Sequence, residues 1–230
     1  GCGTTGDQSN VSSSSQSSTQ DILSQDPKEV YKKVGEKMQS INSFSTQGEM
    51  NAVRAGDSQV VKSTSSMEVE DLYSDNPKAK TVGKINIGDN VVEATMYYLD
   101  GYKYISTSVS QNSPAVNLKS PMTEEDKKIF KPQGLSDAEL DNLKLEKDSE
   151  GRIVIVSGLT QSVNNAFKKM AVFVGATEGY ERITIDNDYR IISSEVSAKG
   201  GSNVEVTMNI KSTYSYEPVK IELPSFEEYV

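Results

Sequence analysis

Hydrophobic positions fall into three spacings along this chain, and each spacing predicts an element. Val30, Val34, Met38 and Ile41 share one face at helical spacing, behind Asp26 as a cap, Pro27 at the first helical position and Glu29 placed to complete a capping box. This predicts a helix over residues 27–42. Beyond Ser43-Phe44-Ser45 the period shortens towards two through Gly48-Glu49-Met50-Asn51-Ala52-Val53-Arg54-Ala55. Turn signals then recur at Ala55-Gly56-Asp57, Asp75-Asn76-Pro77 and Gly88-Asp89-Asn90. The pattern is that of antiparallel strands. Its clearest hairpin joins Met96-Tyr97-Tyr98-Leu99 to Tyr102-Lys103-Tyr104-Ile105 through Asp100-Gly101, which supplies the positive φ angles of a primed turn.

Both faces of that hairpin are apolar. Tyr97, Leu99, Tyr102 and Tyr104 lie on one, and Val92, Met96, Tyr98 and Ile105 on the other, so the second face must also be covered, by helices, a partner or a ligand. Farther on, Thr123-Glu124-Glu125-Asp126 and Ser136-Asp137-Ala138-Glu139 are helix N-terminal patterns, separated by the breaker Lys131-Pro132-Gln133-Gly134. They predict two short helices suited to act as lid elements. A strand at Arg152 to Ser157 precedes a third helical stripe, Val163, Ala166, Phe167, Met170, Ala171 and Val174. Strands follow at Tyr180 to Asp186, Tyr189 to Ala198 and Val204 to Ser215, with a last extended piece at Val219 to Leu223 before Pro224.

The first 26 residues have no such pattern. Gly1-Cys2-Gly3 holds the single cysteine and leads into a run containing Ser12 to Ser15, Ser17, Ser18 and Thr19. A lone cysteine followed by a segment too polar to bury a core is the pattern of a bacterial lipoprotein cut at an acylated cysteine. The expected organisation is a lipid-anchored, disordered, serine-rich tether over 1–26 and one folded domain over 27–230. A flexible coil of about 25 residues spans roughly 25 to 30 Å, which would keep the domain near the bilayer. No stretch approaches the roughly 18 apolar residues of a membrane-spanning helix.

Composition narrows the chemistry. With 33 acidic and 24 basic residues the chain is net negative, which disfavours nucleic acid and anionic headgroups as partners. It has no histidine and no tryptophan. Without histidine, and with its one thiol expected to be acylated, the common general bases, most zinc sites and the Ser-His and Cys-His nucleophile pairs are missing. Carboxylates such as Glu124-Glu125-Asp126 and Asp137, Glu139 and Asp141 could form an acid and base pair, but they sit where helices begin and negative charge favours a helix N-terminus. Asp186-Asn187-Asp188 opens like a calcium loop, yet the required glycine and distal glutamate are missing, so a turn between strands accounts for it. A serine hydrolase with a lysine base would need a marked pair, and no nucleophile-elbow pattern marks one. The expectation is a protein that is not an enzyme and uses no metal or cofactor.

The capped helix ending in Ile41-Asn42-Ser43-Phe44, the meander with its Tyr98-Leu99-Asp100-Gly101-Tyr102-Lys103-Tyr104 hairpin, the inserted helices, the three late strands and the closing Pro218-Val219-Lys220-Ile221-Glu222-Leu223-Pro224 together resemble the LolA/LppX-like lipoprotein-carrier superfamily. More narrowly, the chain is similar to Gram-positive lipoproteins of that group. The resemblance implies an α+β fold, a curved antiparallel β-sheet forming an open half-barrel, with an N-terminal helix and inserted helices packing on or closing the concave face. It also implies a cavity that holds acyl chains, so that the protein would carry or sense an apolar ligand at the extracellular face of the cell membrane. The residues expected to line the cavity are Met50, Tyr97, Leu99, Tyr104, Ile183, Ile185 and Met208 from the sheet and Phe130, Phe167, Met170 and Phe173 from the helices, each competing with a role as ordinary core. Cys2 is the expected lipidation site. The alternative is a half-barrel filled by its own side chains that binds another envelope protein or the cell wall.

Overall fold

A computed structural model describes residues 17–56, 60–87, 89–109, 113–130, 134–170 and 175–230. Cys2 lies outside these residues, as do Lys131-Pro132-Gln133 of the expected breaker, Ala171 and Val174 of the third stripe, and Phe173 of the expected lining.

Asp26 caps a helix over Pro27–Gln39 (α2), its side chain accepting the Lys28 N–H, and the predicted face buries Val30 and Val34. A short helix precedes it. Thr19–Leu23 (α1) is capped by the Ser18 hydroxyl, and its Ile22 is completely buried among Val30, Leu143, Ile153 and Ile185. The hydroxyl of Thr19 meets the Asn187 side chain, and Gln25 donates to the Tyr189 hydroxyl at 3.1 Å. Residues 17–26, which composition places in the tether, dock on the domain. One isoleucine in a serine- and glutamine-rich run is too weak a periodic signal to show this, although its burial is complete.

Eleven strands follow: β1 (Phe44–Arg54), β2 (Val60–Glu70), β3 (Lys78–Ile87), β4 (Asn90–Leu99), β5 (Tyr102–Ser108), β6 (Val116–Pro121), β7 (Lys144–Lys147), β8 (Ile153–Ser157), β9 (Ala176–Ile185), β10 (Ile191–Gly200) and β11 (Val206–Ser215). Between β6 and β7 come a 3₁₀ turn, Asp126–Ile129, and a helix, Asp137–Leu140 (α3); between β8 and β9 comes Gln161–Met170 (α4). The strands form one antiparallel sheet in the order β6-β5-β4-β3-β2-β1-β11-β10-β9-β8-β7. Two meanders thus meet where β1 pairs with β11, Met50 opposite Ile210 and Ala52 opposite Met208. The sheet curves into an open half-barrel whose edges, β6 and β7, stay apart. Asp100 and Gly101 take φ of 54° and 80°, as the primed hairpin turn requires. Asp186-Asn187-Asp188 forms the β9–β10 turn, with the Asp186 carboxylate accepting the Asp188 and Arg190 N–H groups. No described helix is long and apolar enough to cross a membrane.

The strand register divides the side chains cleanly. One face carries Phe44, Met50 and Ala52 of β1, Met208 and Ile210 of β11, and Tyr98 of β4, and it meets the helices in three buried clusters. The first lies under α1 and α2. The second gathers Phe44, Val69, Ala79 and Tyr98 beside the 3₁₀ turn, and the third joins Val163 and Phe167 of α4 to Ala198 and Met208. The opposite face is polar in its centre, where Gln47, Glu49, Thr64, Ser66, Lys84, Lys211 and Thr213 border a depression of about 530 Å³.

Residues 219–223 form no strand. Ile221 is nonetheless buried, and its N–H reaches the Glu70 carboxylate at 2.6 Å. The last residues cross the outer face of the β4–β5 hairpin. Phe226 stacks on Tyr104 at 3.9 Å between ring centroids and meets Tyr97 edge-on at 5.8 Å, while Tyr229 closes against both Tyr104 and Phe226. Val230 then exchanges backbone hydrogen bonds with the β6 edge, donating to Asn117 and accepting from Lys119. A free strand edge is a template for aggregation, and this segment covers one. Phe226→Ala is expected to cost about 2 kcal/mol, from lost burial and ring contacts, measured as a shift in urea unfolding followed by circular dichroism.

Candidate functional site

Between the three clusters the concave face is not filled. A cavity of about 870 Å³ has Met50, Val61, Ile85 and Ile210 of the four central strands as its floor. The register brings them together: Met50 faces Ile210 on one side and Ser63 on the other, Ser63 faces Ile85, and Val61 faces Ala52. Val61 and Ile85 remain 37% and 41% exposed. The roof comes from the connecting segments: Glu125 and Lys128 at the 3₁₀ turn, Gly134, Leu135, Ser136 and Glu139 at α3, and Gln161, Ser162, Asn165 and Ala166 on α4.

Local capping holds these roof pieces. Ser136 and Glu139 form a reciprocal capping box, as the sequence pattern predicts, and the second Glu139 carboxylate oxygen accepts the Gln161 N–H at 2.7 Å. One side chain therefore starts α3 and ties it to the start of α4. The N–H groups of Ser136 and Gln161 hold the Glu139 carboxyl below its usual range. Thr160 caps α4 through its hydroxyl, which accepts the Val163 N–H. At the other side, burial raises the Asp126 carboxyl, but hydrogen bonds from Thr123 and Lys103 outweigh it and leave the group lowered. The Lys103–Asp126 ion pair, at 3.1 Å, fastens the 3₁₀ turn to β5.

Of the residues expected to line a site, Met50 is on the cavity floor. Phe167 and Met208 are completely buried in the third cluster, beside the cavity, whereas Ile185 is buried and Ile183 partly buried in the first. Phe130 packs against the second cluster. Tyr97, Leu99 and Tyr104 alternate onto the opposite, outer face, where Phe226 and Tyr229 cover the two tyrosines. They do not line the cavity. The hairpin is apolar on both sides, and the residues that decide which side is outer sit more than a hundred positions later. The Met170 side chain, Phe173 and Cys2 lie outside the described residues. Val61, Ile85, Leu135, Ala166 and Ile210 were not anticipated. For Val61, Ile85 and Ile210 the available signal was weak: isolated apolar positions at period two within otherwise polar strands.

No protein-family model matches the sequence, and no curated protein matches it. Solved structures do. LppX, a lipoprotein of Mycobacterium tuberculosis, aligns over 85% of this chain and 98% of its own at 13% identity, with a TM-score of 0.45. LprF from Mycobacterium bovis aligns over 86% of this chain and 97% of its own at 12% identity, with a TM-score of 0.51. The chain has the fold of LprF, an open antiparallel half-barrel.

Proposed function

We propose that this protein is a cell-envelope lipoprotein that holds an apolar ligand, a lipid or acyl chain, between its curved sheet and its helices, as a carrier or sensor. The supporting observation is the cavity itself. Its volume lies within the roughly 300 to 1,000 Å³ of small-molecule sites, and its floor keeps two aliphatic side chains, Val61 and Ile85, uncovered by folding. The roof supplies few groups suited to catalysis, and its one tightly held carboxylate, Glu139, is engaged by backbone N–H groups.

In this reading Cys2 carries the acyl anchor at the extracellular face of the cell membrane. About fifteen residues separate it from the docked segment at Ser17. That is shorter than a tether running to residue 26, because residues 17–26 are folded onto the domain.

Native mass spectrometry of the full chain purified from a bacterial host, followed by organic extraction, tests the ligand. Acyl lipid at close to one per chain is the expected result. A clean mass, with no uptake of added fatty acid or diacylglycerol, would overturn the reading in favour of a filled half-barrel.

A further inference from the structure

Five charged residues, Glu124-Glu125-Asp126-Lys127-Lys128, run through the 3₁₀ turn at the cavity roof, and four of them are engaged. Lys127 pairs with Glu124 at 2.9 Å, Asp126 pairs with Lys103 of β5 and accepts the Thr123 N–H at 2.8 Å, and Glu125 has a partner of its own. The Lys128 side chain has no partner among the described residues, and among the residues lining the cavity it alone is cationic. Its backbone is held all the same. The Asp126–Lys103 pair fastens the turn to β5, and Ile129 and Phe130, next in the chain, pack on the second buried cluster. A fixed turn thus presents a free, solvent-exposed ammonium at a cavity whose floor leaves Val61 and Ile85 uncovered. Elsewhere on the roof, both Glu139 oxygens accept backbone N–H groups, from Ser136 at 3.0 Å and Gln161 at 2.7 Å. Ser162 and Asn165 of α4 line the cavity with side chains that have no hydrogen-bond partner among the described residues.

We propose that the cavity takes a lipid with one carboxylate head, a free fatty acid, its chain along Val61 and Ile85 and its head at the Lys128 ammonium, in preference to the same chain with an uncharged head. This rests on the acyl-binding reading above. The chain covers aliphatic side chains that folding leaves exposed. The single negative charge meets the single free cation, and Ser162 and Asn165 can donate to its oxygens. Because Lys128 reaches water, the carboxylate keeps part of its hydration and avoids the full cost of entering an apolar cavity. The net negative charge of the chain is screened beyond about 10 Å at ordinary ionic strength, so the nearest groups decide. A phosphate monoester, with close to two charges, would face one cation and the carboxylates of Glu125 and Glu139.

The test titrates the full chain with oleate, oleyl alcohol and oleoyl lysophosphatidic acid, each below its aggregation limit and at a pH where the oleate head is ionised, and repeats this on Lys128→Gln, Lys128→Glu and Lys127→Gln. The parent is expected to bind oleate about fivefold more tightly than the alcohol, the scale of a partly exposed ion pair, and more tightly than the phosphate lipid. Raising the salt from about 0.05 to about 0.5 M should shrink the preference over the alcohol. Lys128→Gln should bring oleate and alcohol within about twofold. Lys128→Glu should weaken oleate about tenfold and leave the alcohol unchanged, whereas Lys127→Gln, whose lysine is held by Glu124, should keep the parent's ratio. All three change exposed side chains and should melt with the parent. Equal binding of oleate and alcohol by the parent, a preference that salt leaves intact, or an unchanged ratio in Lys128→Gln would overturn this inference and leave the acyl-binding reading standing. So would tighter binding of the phosphate lipid, or a Lys127→Gln protein that loses the preference as fully as Lys128→Gln. Failure of the parent to take up any of the three would sink the acyl-binding reading and this one with it.

Discussion

Replacing Ile85 with glutamate is expected to remove lipid binding and leave the fold standing. Ile85 is 41% exposed on the cavity floor, so the folded protein loses little apolar burial when it is replaced. Neighbouring Lys84 points to the other face, where it approaches Glu93 at 3.9 Å, so among the lining residues only Lys128, on the roof, could meet a new carboxylate on the floor. An acyl chain entering the cavity would have to strip that carboxylate of water, at a cost of several kcal/mol, which weakens binding by about a hundredfold or more. Lipid occupancy by native mass spectrometry and a thermal melt by circular dichroism read the two halves of this statement separately. Val61→Asp, 37% exposed on the same floor, should behave alike. A folded Ile85→Glu protein that loads lipid as the parent does would remove the central floor from the site.

Phe167→Ala is expected to do the opposite. Its ring is completely buried between Val163, Ala198 and Met208, and truncation there removes its transfer free energy and leaves a void, together about 3 to 5 kcal/mol. For a domain of this size that lowers the melting temperature by about 10 °C. The floor residues Val61 and Ile85 are untouched by the change, so the surviving folded fraction should still load lipid. A stability loss under about 1 kcal/mol would show that Phe167 is not the pin that fixes α4 to the sheet.

These two residues also show how far the sequence could be read. Periodicity identified both the Phe167 stripe and the β-strands, because each element repeats its own spacing over several turns or pairs. The Asp100-Gly101 turn and the Ser136–Glu139 box were legible because their chemistry is local. What could not be read was long-range. Tyr97 and Tyr104 look like cavity residues until Phe226 and Tyr229 are laid across them. Ile22 looks like tether until Val30 and Ile153 close around it. Val61 and Ile85 sit in strands so rich in serine and lysine that nothing marks their face as the one beneath the helices.

The central pairing of β1 with β11 has a consequence for how the protein reaches its folded state. Ser45 stands opposite Ser215, the opening strand beside the closing one, so the middle of the sheet cannot form until nearly the whole chain is present. Until then the β1–β6 meander has one unpaired inner edge, β1, whose middle is the polar run Ser45-Thr46-Gln47-Gly48-Glu49 and whose apolar residues are Phe44, Met50, Ala52 and Val53. A chain threaded across a membrane from its N-terminus would wait in that half-assembled condition until its last strand arrived. Folding should accordingly be slow and most vulnerable to truncations that remove β11.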